Sequence, residues 1–135
     1  MFAKWKIKPH SNVDLEFHGE TSKRDGTEYT AQGIQNPALR KYHMADRDRT
    51  QYGAVIDYMV TESLYLSARA DYNQDEYTDT TVGLTEAENP VYALDFSYTP
   101  RHNVLTYGYY TRENISSSQS GASVTAATNP AVDWE

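Results

Sequence analysis

Six stretches of this chain alternate apolar and polar residues with a period of two, the spacing that gives a β-strand two different faces. They run over residues 3–8, 13–21, 50–60, 64–73, 91–99 and 104–113. Trp5 and Ile7 oppose Lys4, Lys6 and Lys8, and Val13, Leu15 and Phe17 oppose Asp14, Glu16 and His18. Tyr52, Ala54, Ile56, Tyr58 and Val60 oppose Gln51, Gly53, Val55, Asp57 and Met59. Leu64, Leu66, Ala68, Ala70 and Tyr72 oppose Tyr65, Ser67, Arg69, Asp71 and Asn73. In the last two stretches Tyr92, Leu94, Phe96 and Tyr98 oppose Ala93, Asp95 and Ser97, while Leu105, Tyr107 and Tyr109 oppose Thr106, Gly108, Tyr110 and Arg112.

The connections point to an architecture. About five residues around Pro9-His10-Ser11-Asn12 join the first pair, Thr61-Glu62-Ser63 the second, and Pro100-Arg101-His102-Asn103 the third. Between these hairpins lie long linkers at 22–49 and 74–90, and a third polar stretch covers 114–135. Short turns alternating with long loops are the rhythm of an outer-membrane barrel, whereas soluble meanders keep most loops short. The expected fold is all-β: an antiparallel up-and-down meander of about six strands, part of a large transmembrane β-barrel. Six strands are too few to close one, since the minimum is about eight, so two edges stay open.

Register supports the two-faced reading. With a three-residue loop, Val60 faces Leu64, Ile56 faces Ala68, Val55 faces Arg69 and Gly53 faces Asp71, and Asp57 lies diagonally from Arg69. A four-residue loop pairs Tyr98 with Leu105, Phe96 with Tyr107 and Asp95 with Gly108. Pairing Ile7 with Val13 sets Lys6 against Asp14 and Lys4 against Glu16; sliding by two still matches lysine with an acid.

Composition narrows the function. Mean hydropathy is -0.76 and no apolar run reaches the ~18 residues of a transmembrane helix, while alternating barrel strands average out as polar. The 12 tyrosines, rings with wet tips, suit a boundary between apolar and aqueous phases. A net charge of -7 argues against nucleic acid. With no cysteine there is no disulfide, thiolate catalysis, cysteine zinc site or c-type haem attachment. The opening Met-Phe-Ala-Lys-Trp-Lys breaks any apolar signal core, which predicts an internal piece of a longer barrel or a truncated reading frame.

No motif reads as catalytic, cofactor-binding or metal-binding. Asp71-x-Asn73-x-Asp75 opens like an EF-hand, but Glu76 stands at the turn glycine and Val82 at the bidentate glutamate. The run Ala45-Asp46-Arg47-Asp48-Arg49 reads as a salt-bridged rim at a strand mouth. His10, His18, His43 and His102 show no ligand spacing, Asn114-Ile115-Ser116 is a bare sequon, and the Ser/Ala/Thr-rich run 116–128 reads as a flexible loop.

Several stretches, in fixed order, resemble one family. They are Leu39-Arg40-Lys41-Tyr42-His43-Met44-Ala45-Asp46-Arg47-Asp48-Arg49, Tyr77 with Val82-Gly83-Leu84-Thr85-Glu86, and Asp95-Phe96-Ser97-Tyr98-Thr99-Pro100. After the sixth stretch come Ser116-Ser117-Ser118-Gln119-Ser120-Gly121 and Trp134. Over roughly residues 35 to 135 the chain resembles the decahaem-associated outer-membrane proteins of the MtrB/PioB family. The resemblance implies a porin-type barrel in the bacterial outer membrane that sheathes a periplasmic decahaem c-type cytochrome for electron transfer, with an outer-surface multihaem cytochrome as a further partner. Haem would belong to the partner, none being bound by this chain, and no catalytic residue is carried over.

In such a barrel Asp57, Arg69, Asp71, Asp95 and Arg112 are expected to face the lumen, and Ile56, Leu66, Leu94, Phe96 and Tyr107 the lipid. Tyr52, Tyr58, Tyr72, Tyr92 and Tyr98 would join the interfacial girdles. The competing readings are a general porin or transporter barrel passing solutes, and a soluble β-sandwich or calycin-like binding module that buries the apolar face as its core.

Overall fold

The computed structural model describes residues 1–28, 36, 38–121 and 132–134. Eight strands follow one another: β1 (Phe2–His10), β2 (Val13–Arg24), β3 (Arg47–Thr61), β4 (Leu64–Glu76), β5 (Gly83–Arg101), β6 (Val104–Glu113), β7 (Ser116–Gly121) and β8 (Val132–Trp134). There is no helix among the described residues. All eight strands share one sheet in the order β1-β2-β3-β4-β5-β7-β8, with β6 also on β5. β1 to β6 are the six-stranded meander expected from the alternation, and the strand pairings are antiparallel. The chain forms two compact units, one of Met1–Glu20, Gln51–Asn73 and Asn89–Asn114, the other of Thr21–Thr50, Gln74–Glu88 and Ile115–Glu135.

In the first unit the β1–β2 hairpin takes the pairing two residues along: Lys6 faces Glu16, Ile7 faces Leu15 and Trp5 faces Phe17. A two-residue slip preserves the faces, so lysine still meets acid. Lys4 and Lys6 reach Glu16 at 2.6 and 3.1 Å, and Lys8 reaches Asp14 at 3.0 Å. Between β3 and β4, the Tyr52–Tyr72 ring pair (5.1 Å between centroids) and the hydrogen bond from Gln51 to Asn73 (2.6 Å) fit the expected register.

The β5–β6 hairpin departs from expectation by one residue. Phe96 pairs with Gly108, Leu94 with Tyr110, Tyr98 with Thr106 and Asp95 with Tyr109, and the register shifts between Tyr98 and Arg101. Pro100 lies within that shift. Having no N–H, it cannot complete the ladder, and the irregularity there moves every later partner by one. Both strands run on to a two-residue turn, with Arg101 paired to Val104. A one-residue slip exchanges faces. Tyr107 therefore does not share a face with Phe96, nor Arg112 with Asp95; Arg112 stands opposite Tyr92.

The second unit corrects the expected loops at 22–49, 74–90 and 114–135. β2 and β3 run into the first to Arg24 and from Arg47, and β5 begins at Gly83, well inside the second. The Ser-rich stretch expected to be a flexible loop is strand as far as Gly121, and its remainder lies outside the described residues. Serine has little β preference of its own; backbone pairing of β7 with Gly83–Glu88, and of β8 with β7, supplies the order. β6 and β7 are separate because they flank Pro90, which has no N–H; Asn114 donates its own N–H to the Pro90 carbonyl at 3.1 Å.

Among the described residues, Ala45, Tyr77 and Val82 are the buried apolar side chains, and all three belong to the second unit. There Leu39 bridges Val82, and Arg40 N–H donates to the Val82 carbonyl at 2.8 Å. The first unit leaves its large apolar groups open: Trp5 is 71% exposed and Leu94 56%.

Candidate functional site: an apolar face and a polar face

In the first unit one sheet face is mostly hydrocarbon and aromatic ring. Two grooves of about 590 and 520 Å³ lie on it and share Ile56, Ala68, Leu94 and Tyr110. The wider groove adds Leu66 and Phe96, so four of the five residues expected on this face come together, and Tyr107 does not. Phe96 covers Gly108, whose missing side chain leaves room for the ring. On β3, Tyr52 and Tyr58 bound a seven-residue span with Ile56 between them, and β3 itself, at 15 residues, exceeds the ~9–11 of a membrane-crossing strand.

The opposite face is polar, and several of its charges are matched within the sheet. His18 Nε2 lies 2.9 Å from Asp71 Oδ1, and Arg69 donates to both oxygens of the same carboxylate through Nε and Nη2. Gly53 makes this possible, because a Cβ there would come 2.7 Å from the His18 ring and collide with Asp71. The alternation of β2 had put His18 on this face, but the cluster itself was missed; Gly53 across from Asp71 was the only signal for it. Asp57 does not pair diagonally with Arg69. It accepts from Tyr65 Oη at 2.6 Å and from Ser67 Oγ at 2.8 Å, nearer donors that leave Arg69 to Asp71. Asp95, by alternation along β5, stands on this polar face.

The second unit holds the ionic rim. Arg49 grips Asp75 with two hydrogen bonds of 2.6 and 2.7 Å, and Arg47 approaches the same carboxylate at 3.7 Å. Such a fork fixes direction as well as charge. Lys23 meets Asp48 at 2.8 Å, and Arg40 meets Asp79 at 3.5 Å. Asp46 accepts from Gly26 N–H, while its own N–H donates to Asp79 at 2.9 Å. The guanidinium of Arg49 holds the Asp75 carboxyl below its ordinary range, and Asp48 holds the Lys23 ammonium above its own. Asp71 and Asp75, the would-be calcium ligands, are each committed to cations of their own unit.

Residues 1–135 match the family described as outer membrane beta-barrel porin, MtrB/PioB. The chain is 35% identical over 127 residues to outer membrane protein MtrB of Shewanella baltica (strain OS185), an alignment covering 91% of this chain. The chain spans 18% of the length of that relative. An outer-membrane location removes the soluble-sandwich alternative, in which the apolar face of the first unit would have been a buried core. The family is one of porins rather than of enzymes. With an antiparallel sheet apolar on one side and polar on the other, and a match along its whole length, this chain belongs to the MtrB/PioB family of outer-membrane β-barrels.

Proposed function

We propose that this chain forms part of the wall of a barrel that sheathes a periplasmic multihaem c-type cytochrome, so that electrons cross the outer membrane through the partner's haems. The face of Ile56, Leu66, Leu94 and Phe96 meets lipid. The face of Asp57, Arg69, Asp71 and Asp95 lines the lumen. Short turns would then lie on the periplasmic side and long connections outside, where an outer-surface cytochrome could dock. The haem belongs to the cytochrome; this chain has no cysteine with which to attach one.

The matching of charge on the polar face carries the reading. Glu16 is held by Lys4 and Lys6, Asp71 by Arg69 with His18 alongside, and Asp57 by two hydroxyls. Carboxylates matched in this way can lie against another protein without being stranded as desolvated charges. A solute pore instead uses rings of charge to select ions.

The test places the intact barrel in liposomes enclosing a redox dye, with and without a decahaem cytochrome, and adds reductant outside. Dye reduction only when the cytochrome is present, with no sugar-driven swelling, is the expected result. Sugar flux through the barrel, together with failure to retain the cytochrome, would make it an ordinary porin.

A further inference from the structure

The shifted β5–β6 register puts a cation where alternation alone would not have put one. Arg112 stands across from Tyr92, in line with Tyr110 and Gly108, on the face that carries Leu94 and Phe96. It is exposed, and its guanidinium has no ion pair among the described residues. Tyr92 and Tyr110 flank it, tyrosines being the side chains that favour a membrane interface. Next along this face come the two grooves, of about 590 and 520 Å³, both lined by Leu94 and Tyr110. They fall within the roughly 300–1,000 Å³ of small-molecule sites.

We infer that Arg112 binds the phosphate of an anionic outer-membrane lipid, one of whose acyl chains lies in the groove formed by Ile56, Ala68, Leu94 and Tyr110. This rests on the lipid-facing assignment proposed above. An arginine forced to an apolar outer face is costly in mid-bilayer and tolerable at its edge, where phosphate is available. Arg112 is the next-to-last residue of β6, away from the His102-Asn103 turn and on the long-loop side. A planar guanidinium suits phosphate through paired N–H donors, which an ammonium cannot reproduce.

The experiment uses the intact barrel in nanodiscs that mix phosphatidylcholine with a lipid bearing a phosphomonoester, such as lipid A. Native mass spectrometry counts the retained lipid A. Arg112→Gln is expected to lose about fivefold in retention, the scale of one interfacial cation, and Arg112→Lys less. Arg101→Gln, at the turn end, should match the wild type. In parallel, Leu94→Trp is examined for fluorescence quenching by lipids brominated in the acyl chain. Quenching with unchanged lipid A retention in Arg112→Gln overturns the lipid site alone. Absence of quenching overturns the lipid-facing assignment, and the site with it.

Discussion

Phe96 lies over Gly108 so closely that a Cβ at Gly108 would stand 2.9 Å from Cζ, and nearer still to Cε1. No L side chain fits there without moving the ring. Gly108→Ala should therefore destabilise the intact barrel by about 1–3 kcal/mol, the range for overpacking. Phe96→Leu should relieve most of that loss. Urea unfolding in lipid of both single variants and the double variant measures the coupling; additive effects would mean that the two residues do not meet.

That contact also explains where the sequence misled. β6 carries tyrosine on both faces, at Tyr107, Tyr109 and Tyr110, so its alternation cannot say which face is apolar. The turn then had to decide, and the irregularity at Pro100 leaves no mark in hydrophobic periodicity. β1 to β4 were readable because apolar and charged residues alternate cleanly there. The start of β5 was hidden for a different reason. Thr85, Glu86, Ala87 and Glu88 show no apolar face, and their strand is held by the backbone of β7.

Gly53 is the pivot of the polar cluster. Gly53→Ala should push His18 from Asp71 and cost about 1–3 kcal/mol, the price of overpacking. Gly19→Ala is the control: its Cβ would meet the Gln51 carbonyl oxygen at an ordinary 3.7 Å, and its effect should stay near ±0.5 kcal/mol. Equal losses in thermal unfolding would indicate that glycine is needed at both positions for backbone reasons.

Asp75 lies past the apolar positions of β4, on the ionic rim. Arg49 lowers its folded-state pKa below the ordinary 3.8, so the pair stabilises the fold above that value and the stabilisation fades as pH falls through the folded-state pKa. Asp75→Asn should thus weaken the barrel at pH 7 by about 1–3 kcal/mol, the cost of stranding charged partners. The gap from wild type should narrow as pH drops below 3.8. Denaturation midpoints at several pH values test this; a gap that widens on acidification contradicts the Arg49–Asp75 linkage.

The assignment of faces rests on Leu94 and Ser97, which stand on opposite sides of β5. Leu94 lines both apolar grooves, whereas Ser97 alternates with Asp95 on the polar side. Arginine at position 94 would sit in hydrocarbon and cost about 2–4 kcal/mol near the bilayer midplane, while arginine at a lumen position is far cheaper. Alternation alone sets Thr106 opposite Leu105 and Tyr107, but it pairs with Tyr98 and so belongs to the Leu94 face. Thr106→Arg should then cost more than Ser97→Arg, though less than Leu94→Arg, because it lies nearer the turn, where an arginine can reach the interface. Folding of the three variants into lipid vesicles gives the order directly. If Ser97→Arg proves the most damaging, the polar face is the one turned to lipid and the barrel is inside out.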